Sequence, residues 1–281
     1  DSGCGDYQRL WATTSLRGSI SGDLTVQLIR EGVHSGDASG IVPSSFRIIR
    51  QLLERVEDME SGAIKDGAFS VAIPPARLEQ AEHTAAILGD SVWRRFPWHD
   101  GVKPVGGDVT ELILNRTWRP ALAITGQAGM PALQAAGNVI RAETTLRLSL
   151  RIPPSLPAEA ATTALRHLLE RDPPHGAKVR FDAHPANAGW HAPPLGPWLA
   201  KAIDEGSRAY FGEAAAFMGE GGSIPFMNFL GLCFPKAQFL VTGVLGPGAN
   251  AHGPNEFLHV PMAKKLTCCA AEIMAHHAHR V

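Results

Sequence analysis

Two glycine-rich segments near the C-terminal end contain the residues best suited to chemistry. Residues 219–225 read Gly-Glu-Gly-Gly-Ser-Ile-Pro, and residues 246–256 place His252 among Gly, Pro and Asn residues. This composition predicts tight loops after strands, where the backbone approaches another group closely. A histidine in such a loop is not packed in a core. His252 is therefore either a metal ligand or a solvated loop residue.

The serine of the first loop, Ser223, raises a serine-hydrolase hypothesis. A nucleophile elbow requires Gly-x-Ser-x-Gly, and Pro225 stands where the last glycine is needed. We interpret the loop instead as a substrate-binding element that uses backbone N–H groups and the Ser223 hydroxyl, steadied by Glu220. Labelling of Ser223 by a fluorophosphonate would favour the alternative.

Other polar residues stand at the ends of predicted elements. Arg151 stands at the end of a predicted strand and precedes Pro153-Pro154. Its guanidinium fork suits a substrate carboxylate, although a salt bridge to a surface acid fits the same pattern. The other motifs are Asp1-Ser2-Gly3, Val33-His34-Ser35-Gly36, Asn115-Arg116-Thr117-Trp118-Arg119-Pro120, Gly137-Asn138-Val139-Ile140 and His184-Pro185-Ala186-Asn187.

In this order, and over nearly the whole chain, these motifs resemble the C-terminal part of metallopeptidase family twenty. That zinc-dependent family includes carnosinase-type dipeptidases, glutamate carboxypeptidases and acetylornithine deacetylases. The resemblance implies that Asp1 and His252 each bind one ion of a zinc pair, and that His34 polarises the scissile carbonyl in the partner subunit's active site. It also implies a set of substrate-binding residues: Asn138, Arg151, His184, Ser223 and Glu220.

The same resemblance shows which family motifs this sequence lacks. The family's His-x-Asp pair, bridging aspartate and Glu-Glu pair are absent from the 281 residues. We therefore expect the chain to be the C-terminal portion of such an enzyme. One apparent ligand for each ion is too few for a metal site, so we expect this portion alone to be inactive.

The pattern of predicted elements supports two kinds of domain. The first part of the chain has the ferredoxin-like split β-α-β order. Its predicted elements are a strand from Ser19, a helical stripe over Phe46–Val56, strands at 122–124 and 144–152, a helix over 157–170 and a strand at 179–183. Helices over 195–211 and 261–279 with a strand at 238–242 suit one edge of an α/β domain. The fold class is thus α/β, with a ferredoxin-like α+β lid inserted in the C-terminal part of a zinc-peptidase catalytic domain.

These elements give expected domain boundaries. We expect a catalytic-domain remnant at residues 1–14, a lid or dimerisation domain at 15–183, and the C-terminal part of the catalytic domain at 184–281. Within the lid, residues 59–110 are interpreted as an insert with a short strand near 69–73 and a helix near 75–88. The apolar stripe of the first lid helix and an unpaired strand edge predict a two-fold homodimer.

Composition excludes several classes of partner. The net charge of −1 leaves no basic footprint for nucleic acid, and no apolar run approaches a membrane span. The four cysteines include the neighbours Cys268 and Cys269 but no Cys-x-x-Cys motif, which favours free thiols in the cytoplasm over a thiolate zinc site.

The sequence thus predicts a metal-dependent enzyme that hydrolyses the amide bond of a dipeptide. The insert, the Trp118-Arg119-Pro120 segment and the Ser-Ile-Pro run look most like carnosinase-type members. Two alternatives stay open: an amidohydrolase that acts on N-acyl amino acids, and a non-catalytic dimerisation fragment.

Overall fold

The computed structural model describes residues 2–279 and divides them into two compact units. The strands are β1 (Trp11–Leu16), β2 (Gly18–Gln27), β3 (Val33–His34), β4 (Ala121–Ala128), β5 (Val139–Ile140), β6 (Glu143–Ile152), β7 (Lys178–Ala183), β8 (Trp190–His191) and β9 (Ala216–Glu220). The helices are α1 (Ser35–Ala38), α2 (Ser45–Leu53), α3 (Pro75–Leu88), α4 (Ser91–Arg94), α5 (Val109–Thr117), α6 (Ala158–Glu170), α7 (Pro197–Phe211), α8 (Pro225–Cys233) and α9 (Val260–Ala278). Across residues 2–279, no helix combines the length and apolar character that a bilayer span requires.

One unit comprises residues 18–71 and 119–189 and is built on a four-stranded antiparallel sheet. Its strand order is β4-β6-β2-β7, and the chain order is β2-α2-β4-β6-α6-β7. This is the split β-α-β arrangement, so the predicted ferredoxin-like order is confirmed. A separate two-stranded ladder pairs β3 with β5.

The sheet of this unit has one apolar face and one polar face, because side chains alternate along a strand. On β2, Ile20, Leu24 and Val26 are fully buried, whereas Ser21, Asp23 and Thr25 on the other face are only partly buried. Helices α2 and α6 contribute to the same core, with Ile49, Leu52, Leu165 and Leu169 at zero exposure. The opposite, polar face of the sheet carries two of the predicted site residues.

The other unit comprises, among the described residues, 2–17, 72–118 and 190–279. Its three-stranded sheet has the order β8-β1-β9, with β1 parallel to β9 and antiparallel to β8. Every residue of β1 is buried. The predicted strand at 238–242 is an extended segment outside the assigned strands, and its Val241 carbonyl accepts a hydrogen bond from the Thr13 amide at 2.7 Å.

The position of residues 72–118 differs from the sequence interpretation. We expected an insert in the lid at 59–110, but Ala72–Trp118 belongs to the unit that contains β1 and β9. The reason is packing: Thr84 of α3 is buried and donates a hydrogen bond to the Phe217 carbonyl of β9 at 2.9 Å. The strand expected near 69–73 is also wrong, because Gly67–Phe69 forms a 3₁₀ turn and the residues after it join no strand. The unit boundaries lie at 17/18 and 189/190 rather than 14/15 and 183/184.

Candidate functional site

The Gly-Gly-Ser loop leaves the end of β9 and is held by Arg17. The Arg17 Nε donates to the Gly221 carbonyl at 3.2 Å, and its Nη1 donates to the Asn115 carbonyl at 3.1 Å. Ser223 Oγ donates its proton to the Arg17 carbonyl at 2.7 Å. A nucleophilic serine must deliver that proton to a general base, so this geometry argues against a serine-hydrolase role.

Glu220, the last residue of β9, carries a carboxylate with two different environments. Oε2 accepts a hydrogen bond from Arg116 Nη2 at 3.0 Å. Oε1 is buried and has no hydrogen-bond partner among the described residues. Because buried polar atoms are almost always paired, Oε1 is an acceptor that a water molecule or a ligand group would satisfy.

Gly3 lies directly against this free oxygen. A Cβ atom at residue 3 would stand 2.5 Å from Glu220 Oε1, so only glycine lets the backbone come this close. The segment is fixed by a bridge from Gly3 to Leu245 and by the Cys4 amide, which donates to the Leu245 carbonyl at 3.0 Å. Asp1, the predicted metal ligand that precedes this segment, lies outside the described residues.

The His252 loop is ordered by hydrogen bonds within itself. The His252 amide donates to Glu256 Oε2 at 3.0 Å, and Asn250 Nδ2 donates to the Pro254 carbonyl at 2.6 Å. His252 has φ of 62°, a left-handed conformation that few non-glycine residues adopt, and its side chain is exposed. The loop therefore presents the imidazole outward.

The start of this loop is packed against the segment that begins at Gly3. A side chain at Gly246 would run into the Tyr7 ring and Cys4 Sγ. Tyr7 donates its hydroxyl proton to the Pro247 carbonyl at 3.1 Å and stacks on His259 with ring centroids 4.1 Å apart. His259 Nδ1 in turn accepts a hydrogen bond from the Met262 amide at the start of α9.

Burial sets the chemistry of the cysteine at this position. Cys4 is 2% exposed, and burial, helped by the charges of Asp6 and Glu220, raises the pKa of its thiol to about 12. At neutral pH Cys4 is therefore protonated and is neither a nucleophile nor a thiolate ligand.

A complete metal site is not formed by the described residues. Among residues 2–279, no three His, Cys, Asp or Glu side chains come together in a group that could hold an ion. His252 is thus a single candidate ligand. Since even catalytic zinc takes about three protein ligands, the residues present do not fit a metal centre on their own.

Arg151 and His184 lie on either side of β2 in the other unit. Arg151 is paired in register with Ser19, and the His184 amide donates to the Ser21 carbonyl at 2.9 Å. His184 Nδ1 is 3.4 Å from Ser21 Oγ. The polar face of the four-stranded sheet therefore brings these two predicted site residues close to one strand.

A neighbouring ion pair on this face was not predicted. Arg147 Nε and Nη2 bind both oxygens of Asp23 at 2.7 and 2.8 Å, and His184 Nε2 is 3.6 Å from Asp23. The hydrogen bonds from Arg147 hold the pKa of Asp23 below its ordinary value. The carboxylate is consequently ionised at neutral pH and faces His184.

His34 and Asn138 form a second group in the same unit. His34 is paired with Val139 in the β3–β5 ladder, and the Ser35 amide donates to the Asn138 carbonyl at 2.9 Å. Both side chains are exposed. They adjoin a cleft of about 530 Å³ that Gly137, Val139, Arg47 and Arg141 help to line.

The sequence interpretation missed Arg17 and Arg116 as parts of the site. Arg116 stood inside a recognised motif, so a signal was available, but its partner Glu220 is 104 residues away. Arg17 contacts Gly221 across 204 residues. Contacts between residues this far apart in the chain produce no hydrophobic periodicity, so the sequence alone does not reveal them.

The chain is similar to known peptidases over most of its length. Residues 14–177 match the M20_dimer family, described as the peptidase dimerisation domain. The chain is 27% identical over 265 residues to the cysteinylglycine-S-conjugate dipeptidase of Corynebacterium striatum, covering 90% of this chain and 55% of that protein. It is also 27% identical over 264 residues to the Cys-Gly metallodipeptidase DUG1 of Saccharomyces cerevisiae, covering 88% and 51%. The chain thus spans about half the length of the curated relatives it matches.

Solved structures agree on the fold. The dipeptidase Dug1p of Saccharomyces cerevisiae superposes with a TM-score of 0.75 at 20% identity, covering 98% of this chain and 58% of that one. Human carnosine dipeptidase 1 gives 0.73 at 17% identity, covering 99% and 58%. At these identities the likeness shows the fold, and the predicted fold class is confirmed. Since the match to the dimerisation domain spans more than half of the 281 residues, the chain belongs to the M20 peptidase family.

Proposed function

We propose that the chain is the C-terminal portion of a metal-dependent dipeptidase, which hydrolyses the amide bond of a dipeptide. The observation that carries this proposal is the carboxylate of Glu220: one oxygen is held by Arg116, and the other is buried without a partner beside Gly3. A buried carboxylate oxygen of this kind suits the ammonium group of a small peptide. The names of both curated relatives, each a dipeptidase, support the same substrate class.

The remaining substrate contacts follow from the polar groups described above. Arg151 offers a fork for the substrate carboxylate, and His184 stands across β2 from it. Ser223 and Asn138 belong to two further loops that contact substrate in this proposal. His34, exposed in the β3–β5 ladder, serves the active site of the other subunit, where it polarises the scissile carbonyl.

The metal requirement is proposed for the whole protein and not for the described residues alone. We propose two zinc ions, with Asp1 and His252 as one ligand each and the other ligands supplied from outside this chain. Because the described residues do not complete a metal centre, we expect residues 1–281 alone to be inactive. The four free cysteines fit a reducing, cytoplasmic location.

The dimerisation domain supports a homodimer formed through the lid. Strand β4 is at the edge of the four-stranded sheet, and Ile124 on it is 45% exposed. An apolar edge strand pairs readily with a second copy. Ile124→Lys should shift the sedimentation coefficient from dimer to monomer without loss of the circular dichroism spectrum; an unchanged dimer would remove this edge from the proposal.

The role of Arg151 gives the test of the proposed activity. In a longer protein that includes this chain, Arg151→Lys keeps the charge but loses the fork, and kcat/KM for Cys-Gly should fall about tenfold or more. Arg180→Lys is the matched control, because Arg180 lies on β7 in an exposed ion pair with Asp182. Equal kcat/KM for the Arg151→Lys variant and the unsubstituted protein would refute the assignment, and faster turnover of N-acetyl amino acids than of dipeptides would refute the substrate class.

A further inference from the structure

A second polar feature lies in the unit that contains the Gly-Gly-Ser loop. A cleft of about 300 Å³ opens between α4, α5 and the backbone of Gly5, Pro247 and Gly248. This volume is at the lower end of the range for small-molecule sites. Three arginines line it, Arg94, Arg95 and Arg116, and none of its lining residues is acidic.

The three guanidinium groups are not equally neutralised. Arg94 Nη2 lies 2.9 Å from Asp90, in a pair that is largely exposed. Arg116 gives one of its N–H groups to Glu220. Arg95 lies over the Phe96 ring, 5.4 Å from the ring centroid, and no carboxylate of residues 2–279 lies within ion-pair distance of it, although the charge of Glu220 acts on it from further away.

The surroundings of Arg95 disfavour its positive charge. Although part of the residue is exposed, loss of water around the guanidinium and the nearby charge of Arg116 lower the pKa of Arg95. The guanidinium stays charged at neutral pH all the same, because the ordinary pKa of arginine lies far above 7. A bound anion would offset this like-charge repulsion.

We propose that this cleft binds a small phosphate-class oxyanion, with Arg95 as the principal ligand and the unused N–H groups of Arg116 and Arg94 as supporting donors. A guanidinium has five N–H donors, so Arg116 can hold Glu220 and an anion at once. Phosphate at pH 7 carries between one and two negative charges and at least three acceptor oxygens, which matches several guanidiniums better than a single carboxylate does. This site takes an anion whether or not the protein is a dipeptidase.

Isothermal titration with inorganic phosphate at constant ionic strength tests the assignment on the chain as it is. We expect one site per chain, and Arg95→Gln should weaken phosphate binding at least tenfold. Arg95→Lys, which keeps the charge, should be intermediate. Arg50→Gln, an exposed arginine of α2, should leave the affinity unchanged.

Each variant is first checked for an unchanged melting temperature in buffer without phosphate. If Arg95→Gln unfolds, the intermediate affinity of the folded Arg95→Lys variant carries the test. The proposal would be overturned if millimolar phosphate, in at least 10-fold excess over the protein, gave no heat of binding. It would also be overturned if the Arg95→Gln variant bound phosphate as tightly as the unsubstituted chain. Acetate that binds as tightly as phosphate would overturn the assignment of a phosphate-class ligand.

Discussion

Replacing Arg116 with methionine is the sharpest perturbation of the site in this unit. The substitution keeps much of the apolar stem and removes the guanidinium that holds Glu220 Oε2 at 3.0 Å. Because Glu220 Oε1 already has no partner in the described chain, the variant leaves both oxygens of a mostly buried carboxylate unpaired. The expected result is a loss of folding stability that exceeds that of an ordinary surface ion pair.

The magnitude follows from distance and burial. Two unit charges about 3 Å apart attract with roughly 5–6 kcal/mol at an effective dielectric constant of about 20, before desolvation is subtracted. Breaking a fully buried pair by removing one partner costs about 3–5 kcal/mol. The Arg116 and Glu220 side chains are 23% and 18% exposed, so solvent screens part of this interaction. We expect about 2–3 kcal/mol at pH 7.

Urea denaturation of a double-mutant cycle measures this energy. The cycle combines Arg116→Met, Glu220→Gln and the double variant, and the double variant should lose at least ~1 kcal/mol less than the sum of the single variants. Arg208→Met is the control, because its pair with Asp204 is exposed and its loss should cost below about 0.5 kcal/mol. An additive cycle, or an Arg116→Met cost no larger than that of Arg208→Met, would refute the reasoning.

Two further predictions concern ionisable groups away from this pair. Iodoacetamide at pH 8 should label exposed Cys268 in the native protein and spare Cys4, whose pKa is raised to about 12 by burial; peptide mapping that finds equal labelling would contradict the packing of the Gly3 segment. Since Arg147 lowers the pKa of Asp23, that carboxylate contributes stability above its ordinary pKa of about 4 and loses it as pH falls through its lowered value. Asp23→Asn should therefore cost below about 1 kcal/mol at neutral pH, and the cost should vanish in acid; a cost that is the same at pH 7 and in strong acid would speak against an ionic origin.

Much of the lid could be predicted from the sequence, because its elements follow simple periodic rules. Alternation along Ser19–Arg30 indicated β2, and the apolar spacing of Ile49, Leu52 and Leu53 indicated α2, which is found at Ser45–Leu53. Exposed Phe46 is the exception within that stripe. Such a pattern reflects the single buried face of one element, so it can be recognised without knowing which other element packs against that face.

The assignment of residues 72–118 failed for the opposite reason. Helix α3 is rich in alanine, and its buried residues are Ala81 and Thr84, so its sequence carries little sign of which surface it covers. Its contact with β9 joins residues 84 and 217, a separation that periodicity cannot reveal. The roles of Arg17 and Arg116 were hidden in the same way, since both hold backbone or side chains more than 90 residues away.

The most direct test of the account is metal-dependent hydrolysis of Cys-Gly, measured side by side for residues 1–281 and for a longer protein that includes them. We predict activity in the longer protein that is abolished by a chelator and by His252→Ala. We predict neither activity nor stoichiometric metal in residues 1–281 alone, whose described part holds no group of three candidate ligands. Stoichiometric binding of zinc by the purified 281-residue chain, or hydrolysis of a dipeptide by it, would contradict the account. Undiminished activity of the His252→Ala variant of the longer protein would contradict it as well.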